Sequence, residues 1–181
     1  MNRDQDIRKS HIQFDYEFAR DVKKTGAVIT CKAGCFACCS EPLYVFDYEA
    51  RHLLKHVPPA EMPGVVERTK AWSEKAQSCG ILAKHTPHVQ EYRYQKLVCP
   101  LLKDGLCLVY KQRPFGCRSH SAIGDPKLCH DDQARMEQKF VYSHLLLSKH
   151  IRDGAVGDHL GVFLSNVLTG TKLQSADRAH V

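Results

Sequence analysis

Hydrophobic positions along the chain fall into helical stripes, interrupted twice where cysteines crowd together. From Ser10, Ile12, Tyr16 and Ala19 on one stripe and Phe14, Phe18 and Val22 on a second repeat at helical spacing, and Gly26 is a natural stop. Ala27 to Thr30 leads into the first cysteine loop, and Leu43 to Phe46 leaves it as a short extended run. Asp47 is placed to cap a helix over Tyr48 to Val57, which Pro58 and Pro59 terminate. Met62, Val65, Thr69, Trp72 and Ala76 mark one face of a longer helix.

Beyond Pro87, Glu91 to Val98 has weak strand character. Asp104-Gly105, between two apolar runs, predicts a hairpin or a metal-knuckle turn. A loop with Gly124 and Pro126 then precedes a helical stripe at Met136, Phe140, Leu147 and Ile151 that Gly154 stops. A last helix carries Leu160, Phe163, Leu164, Val167 and Leu168 up to Gly170. The expected fold is therefore mainly α: a single helical domain over 1–170 with a small β-hairpin and a cysteine-rich metal-binding region on loops, its C-terminal helices within 131–170. Residues 171–181 lack periodicity and are expected to fray.

The cysteines change the picture most. Seven of the nine form two groups: Cys31, Cys35, Cys38 and Cys39, then Cys99, Cys107 and Cys117. Thiolates this dense repel one another unless a cation holds them, and soft sulfur ligands select zinc or an iron–sulfur cluster. Cys31, Cys35 and Cys38 are spaced so that a tight turn can aim them at one centre. The neighbours Cys38 and Cys39 diverge, so the pair serves two metals, bridges two metals, or includes one non-ligand. One mononuclear site needs four ligands, so seven thiolates suggest a multinuclear cluster, two sites, or a closed site beside an open one.

Further candidates stand outside these groups. Cys129 and His130 are a potential addition to the ligand set, and His120 is a potential ligand or a donor to sulfur. Cys79, at the end of the long helix, reads as a buried small hydrophobe. His52 and His56, beside Arg51 and Lys55, read as a solvated helix face, and His85 and His88 as loop residues.

With 26 Lys and Arg against 20 Asp and Glu, the formal charge is +6. Arg93, Lys96, Lys103, Lys111, Arg113 and Arg118 flank the second cysteine group with Asp104 alone opposing them. Such neighbours are expected to lower the thiol pKa values, with Arg113 and Arg118 donating to the sulfurs. Nucleic-acid binding is not expected, because no recognition motif accompanies the cations. The charged start and the lack of a long apolar run predict no leader and no membrane span. An odd cysteine count then predicts the reducing cytoplasm rather than a secreted disulfide framework.

The spacing Cys31-x3-Cys35-x2-Cys38 also matches that of radical S-adenosylmethionine enzymes. Ala37 replaces the usual aromatic residue, and the length and strand–helix repeat of that barrel are missing. Taken together, the CxxxCxxCC group, the helix opening Tyr48-Glu49-Ala50 and the later Cys-Pro-Leu, Gly-Leu-Cys-Leu-Val-Tyr and Arg-Pro-Phe-Gly-Cys-Arg pieces, with seven cysteines in all, resemble the YkgJ-type cysteine-cluster family, a zinc- or iron-chelating domain. The resemblance covers about Ala27 to His120 and includes Gly105, Tyr110, Arg113, Pro114 and Arg118 in order. It implies metal or iron–sulfur binding by Cys31, Cys35, Cys38, Cys39, Cys99, Cys107 and Cys117, without implying a settled activity or naming a protein partner. One branch, the flagellin lysine N-methylases, couples such a domain to methyl transfer. This chain is shorter and carries no S-adenosylmethionine motif, so that activity is not carried over. The functions in view are an iron–sulfur protein with a redox or catalytic role, a zinc-stapled interaction module, and a metal chaperone or store.

Overall fold

The computed structural model describes residues 3–26, 28–83, 89–123, 125, 127, 129, 139–141, 156–174 and 179–180. Among these, α1 (Arg3–Lys24) opens the chain, seven residues ahead of the expected start. One stripe of α1 is buried through Ile7, His11, Phe14, Phe18 and Val22, while Ile12 and Tyr16 on the other are 61% and 65% exposed. The buried stripe packs on the short helix α5 (Phe115–Ser119), where Phe115 closes against Phe14 with ring centroids 5.3 Å apart.

Strand β1 (Tyr44–Phe46) runs directly into α2 (Asp47–Lys55). The N-cap is Phe46, one residue before the predicted Asp47, and the Glu49 carboxylate takes the Phe46 backbone N–H at 3.2 Å. Helix α3 (Met62–Ser78) buries Val65, Thr69, Trp72 and Ala76, the face its periodicity predicts. It lies along α6 (Leu160–Thr169), the last helix, which ends at Gly170. The contact is close: a Cβ at Gly161 would sit 2.3 Å from the Trp72 ring, so only glycine lets the two helices meet there.

Glu91 to Val98 does not form the expected strand; α4 (Val89–Tyr94) takes its first four residues and a turn at Gln95-Lys96 follows. Gln95 N–H bonds the Glu91 carbonyl, and Tyr92 from the helix and Leu97 from just past the turn are buried beside Trp72, so tertiary burial overrides the weak alternation. The predicted hairpin is present as β2 (Leu102–Lys103) and β3 (Leu106–Cys107). Both turn residues have positive φ, 50° at Asp104 and 75° at Gly105, the pairing a two-residue primed turn demands.

Strand β4 (Ser121–Ile123) pairs with β5 (Lys139–Val141), placing Phe140 opposite Ala122 in a strand rather than in the expected helix. The β-branched Val141 and the hydrogen-bonding edge of β4 favour an extended run there. Met136, Leu147, Ile151 and Gly154 of that predicted helix lie outside the described residues, as do Gly124, Pro126, His85, His88 and His130.

β6 (Val156–His159) lies between β1 and β7 (Ala179–His180) in an antiparallel sheet. Asn166 and Leu173 exchange two hydrogen bonds of 2.8 and 2.7 Å, and β7 adds a ladder. The fold is mainly helical with a small hairpin, as the periodicity predicts. No described helix is long and apolar enough to cross a membrane.

Candidate metal centre

Each cysteine group is shaped by a local turn. Cys35 N–H closes on the Lys32 carbonyl at 3.0 Å, and a 3-10 turn, Ala37–Ser40, then presents Cys38 and Cys39. In the second group the β2–β3 hairpin separates Cys99 from Cys107, and the bend at Arg113-Pro114 starts α5, which carries Cys117. The groups meet directly: Cys99 N–H donates to the Cys39 carbonyl at 2.7 Å.

The meeting point is a cavity of about 60 Å³ faced by six cysteines: Cys35, Cys38, Cys39, Cys99, Cys107 and Cys117. Leu53, Trp72, Tyr92 and Leu160 supply apolar wall. Organic ligands occupy pockets of roughly 300 to 1,000 Å³, so this space suits an inorganic group. Cys38 and Cys39 both reach it despite being neighbours.

Burial governs the thiols. Cys99 and Cys117 line the cavity, and desolvation raises both well above the usual thiol range. The charges of Cys107 and Cys38 push both in the same direction. Cys107 is raised by burial as well. Two backbone donors work against this: Leu101 N–H bonds Cys99, and Val109 N–H bonds Cys107. Each donor lies two residues beyond its cysteine, the local arrangement of a metal knuckle. It favours the charged thiolate.

The expectation that surrounding cations lower the thiol pKa values is thus overturned, because desolvation outweighs them. Only Arg113 of the expected group faces the cavity, and it does lower Cys107 and Cys117. Its guanidinium lies 3.7 Å over the Tyr110 ring, and its Nε bonds the Tyr110 carbonyl. Arg118 instead directs donors to the Arg113 and Lys111 carbonyls and to Asp15, tying α1 to the loop. Lys103 pairs with Glu61 at 2.8 Å, and Arg93 reaches the Cys129 carbonyl at 3.1 Å.

The helix bearing Cys117 is set by a buried carboxylate. Glu49, 1% exposed, accepts Phe115 N–H at 2.7 Å on one oxygen and Phe46 N–H at 3.2 Å on the other, with His11 Nε2 3.4 Å away. One residue before Cys117, a Cβ on Gly116 would come 2.2 Å from the Tyr44 carbonyl oxygen. α5 is therefore pressed against β1 backbone to backbone.

His120 is buried with Glu41, Nε2 to Oε2 3.1 Å, and burial lowers its pKa to about 4. It is neutral at physiological pH and faces a carboxylate that lines the cavity. Sequence reasoning singled out His120 but missed Glu41, although Glu41 stands two residues after the Cys38-Cys39 pair. Tyr92 was missed as well, since its segment read as a strand.

Cys31 does not reach the cavity; its sulfur accepts Ala122 N–H at 3.1 Å and packs beside Ala37 and Cys129. Cys79 caps α3, its thiol directed at the Ala76 carbonyl. His52 is buried, not solvated, with its ring centroid 6.1 Å from that of His11, because α1 covers that face of α2. Among the described residues, no three cysteine, histidine or carboxylate side chains already stand in a metal-holding arrangement. The donor set nonetheless fits a thiophilic metal: six sulfurs, a single cation, inorganic dimensions and N–H donors on sulfur. No family model, curated protein or solved structure matches the chain.

Proposed function

We propose that this chain is a metal-binding cysteine-cluster protein, with zinc or an iron–sulfur cluster held in the cavity by Cys38, Cys99, Cys107 and Cys117 and with Cys39 alongside. The observation that carries the reading is the meeting of two cysteine groups, distant in sequence, around one desolvated cavity. The same four sulfurs influence one another's protonation, which marks them as one electrostatic unit. The resemblance of residues 27–120 to the YkgJ-type family agrees with it.

Leu101 and Val109 amides then stabilise the bound thiolates, Arg113 offsets their charge, and the walls from Leu53, Trp72 and Leu160 exclude water. Bound there, zinc would supply a structural clamp, and an iron–sulfur cluster one-electron redox chemistry. A reducing compartment such as the cytoplasm keeps the thiols available.

The knuckle-like N–H donors around the hairpin favour a second reading, a zinc staple closing the loops onto the helices so that partners bind elsewhere. Metal content and acid-labile sulfide on protein purified without oxygen separate the two. Iron with matching sulfide supports the cluster, zinc without sulfide supports the staple, and neither metal overturns both.

A further inference from the structure

Beside the cysteine cavity lies an open groove of about 210 Å³, bounded by α3 on one side and by residues 96–102 on the other. Trp72, Leu97 and Cys99 belong to both linings, so the two spaces share a wall. The volume falls below the roughly 300 to 1,000 Å³ of pockets that enclose a drug-sized ligand, and it suits one small ring or chain bearing a polar head.

Among the described residues, three cations line the groove, Arg68, Lys75 and Lys96, and no carboxylate does. Arg68, Trp72 and Lys75 recur at helical spacing on one face of α3. Lys75 and Lys96 are exposed, and neither pairs with a carboxylate among the described residues. Lys96 has a φ of 51°, a left-handed position just past the end of α4 where glycine is the usual residue. A lysine there accepts backbone strain that glycine would avoid, and it adds a charge to the groove.

Arg68 is held in place. Its Nε donates to the Pro100 carbonyl at 2.8 Å, and a Cβ on Gly64 would come 3.1 Å from its Nη1, so the missing side chain at 64 gives the guanidinium room. Nη2 is buried and has no acceptor among the described residues. A desolvated guanidinium N–H without an acceptor is costly, and an oxyanion seated against Arg68 relieves it. Val98, 39% exposed, and Leu102 supply apolar surface beside these charges.

We propose that this groove binds a small phosphate monoester, its phosphate between Arg68, Lys75 and Lys96 and its apolar body against Val98 and Leu102. A dianionic phosphate offsets more of the three charges than a carboxylate does and offers oxygens to several donors at once. The site is separate from the proposed metal centre, because none of its cations lines the cysteine cavity, which Arg113 serves. It therefore stands or falls without the metal-binding reading.

Trp72 is the only tryptophan of the chain, so its emission reports on the shared wall. Titrating the full chain with cyclohexyl phosphate, which does not absorb where tryptophan does, should give a saturable change in that emission. Cyclohexanol should give none, and inorganic phosphate should bind about tenfold more weakly for want of the apolar contact. Lys75→Gln and Lys96→Gln, both at exposed positions, should each weaken cyclohexyl phosphate binding about three- to fivefold, and Arg68→Gln about tenfold.

No saturation with cyclohexyl phosphate overturns the site. Unchanged binding in both lysine variants overturns it as well, since the ligand would then sit elsewhere, as on Arg113. An equal response to cyclohexanol, cyclohexanecarboxylate or inorganic phosphate overturns the assignment of a phosphate monoester. Because Arg68 ties α3 to Pro100, its variant is at risk of misfolding, and the two lysine variants carry the test without it.

Discussion

Two clusters of buried ionisable groups lie side by side, and they are satisfied in opposite ways. Around Glu49 the protein provides its own answer to a buried carboxylate, with two backbone N–H groups and an imidazole on its two oxygens. Around the cysteine cavity, two N–H donors and one guanidinium face six thiols, and burial pushes Cys99, Cys107 and Cys117 toward the protonated form. A buried charge without compensation is driven neutral. The carboxylate is an internal strut, complete in itself, whereas burial keeps the thiols protonated, and the proposed metal would supply the positive charge they need to ionise. Glu49 also raises Cys117, so the strut makes that thiolate harder to form.

The largest effect should come from breaking the incomplete cluster. Cys117→Ser is expected to abolish metal retention in the cavity and to lower the melting temperature by more than 10 °C, since a structural thiolate site contributes on the order of 10 kcal/mol. Full metal content and an unchanged melting curve would sink the cavity assignment. For the wild type, metal affinity should climb steeply with pH. Cys99, Cys107 and Cys117 are protonated near neutrality and each must release a proton on binding. Chelator competition between pH 6 and 8 should show about a thousandfold gain per pH unit for three such thiols; a flat profile would mean that thiolates are not the ligands.

Glu49→Ala, which breaks the complete cluster, should cost about 3 to 5 kcal/mol by leaving the Phe46 and Phe115 amides buried without their acceptor. Its metal content should fall less than that of Cys117→Ser, because α5 is loosened while every sulfur remains. Urea titration reads the first quantity and elemental analysis the second. Equal loss of metal in the two variants would make the strut part of the site.

The smallest effect belongs to His120, whose pKa is about 4 in the fold against a reference of 6.5. Because the folded value is depressed, the contribution is full above about pH 6.5 and is lost as pH falls toward 4. It amounts to at most about 3 kcal/mol. His120→Gln should flatten that limb of the stability profile, measured by denaturant titration at a series of pH values; an unaltered limb would assign the acid sensitivity elsewhere.

What was legible in the chain divides along the same line. α3, α6 and the 104–105 turn follow from periodicity and turn chemistry because their causes are local: an apolar stripe, a terminal glycine, two residues at positive φ. Glu49 stood in plain view in the Tyr48-Glu49-Ala50 opening, yet its role depends on Phe115, far along the chain. The cations misled for a related reason. Their sequence proximity to Cys99–Cys117 is real, but Lys103 turns to Glu61 and Arg118 to Asp15, contacts that only folding creates. Desolvation leaves no mark in composition, so the rise of the thiol pKa values was invisible there. Tyr92 was hidden because a six-residue helix is too short to establish a period.

The hydrogen bond from Cys99 to Cys39 carries a consequence for how the chain assembles. It joins segments about sixty residues apart, with α2 and α3 between them. Closing a loop of that length costs only about 0.6 kcal/mol more for each doubling than closing a shorter one, but it is slow until the intervening helices have shortened the distance. On the proposed reading, Cys38 emerges during synthesis well before Cys99, Cys107 and Cys117, so an early ion would meet one of its four ligands. The packing of α2 and α3 then sets the moment at which the second cysteine group arrives, and under the proposed function helix formation would be the timer for metal capture.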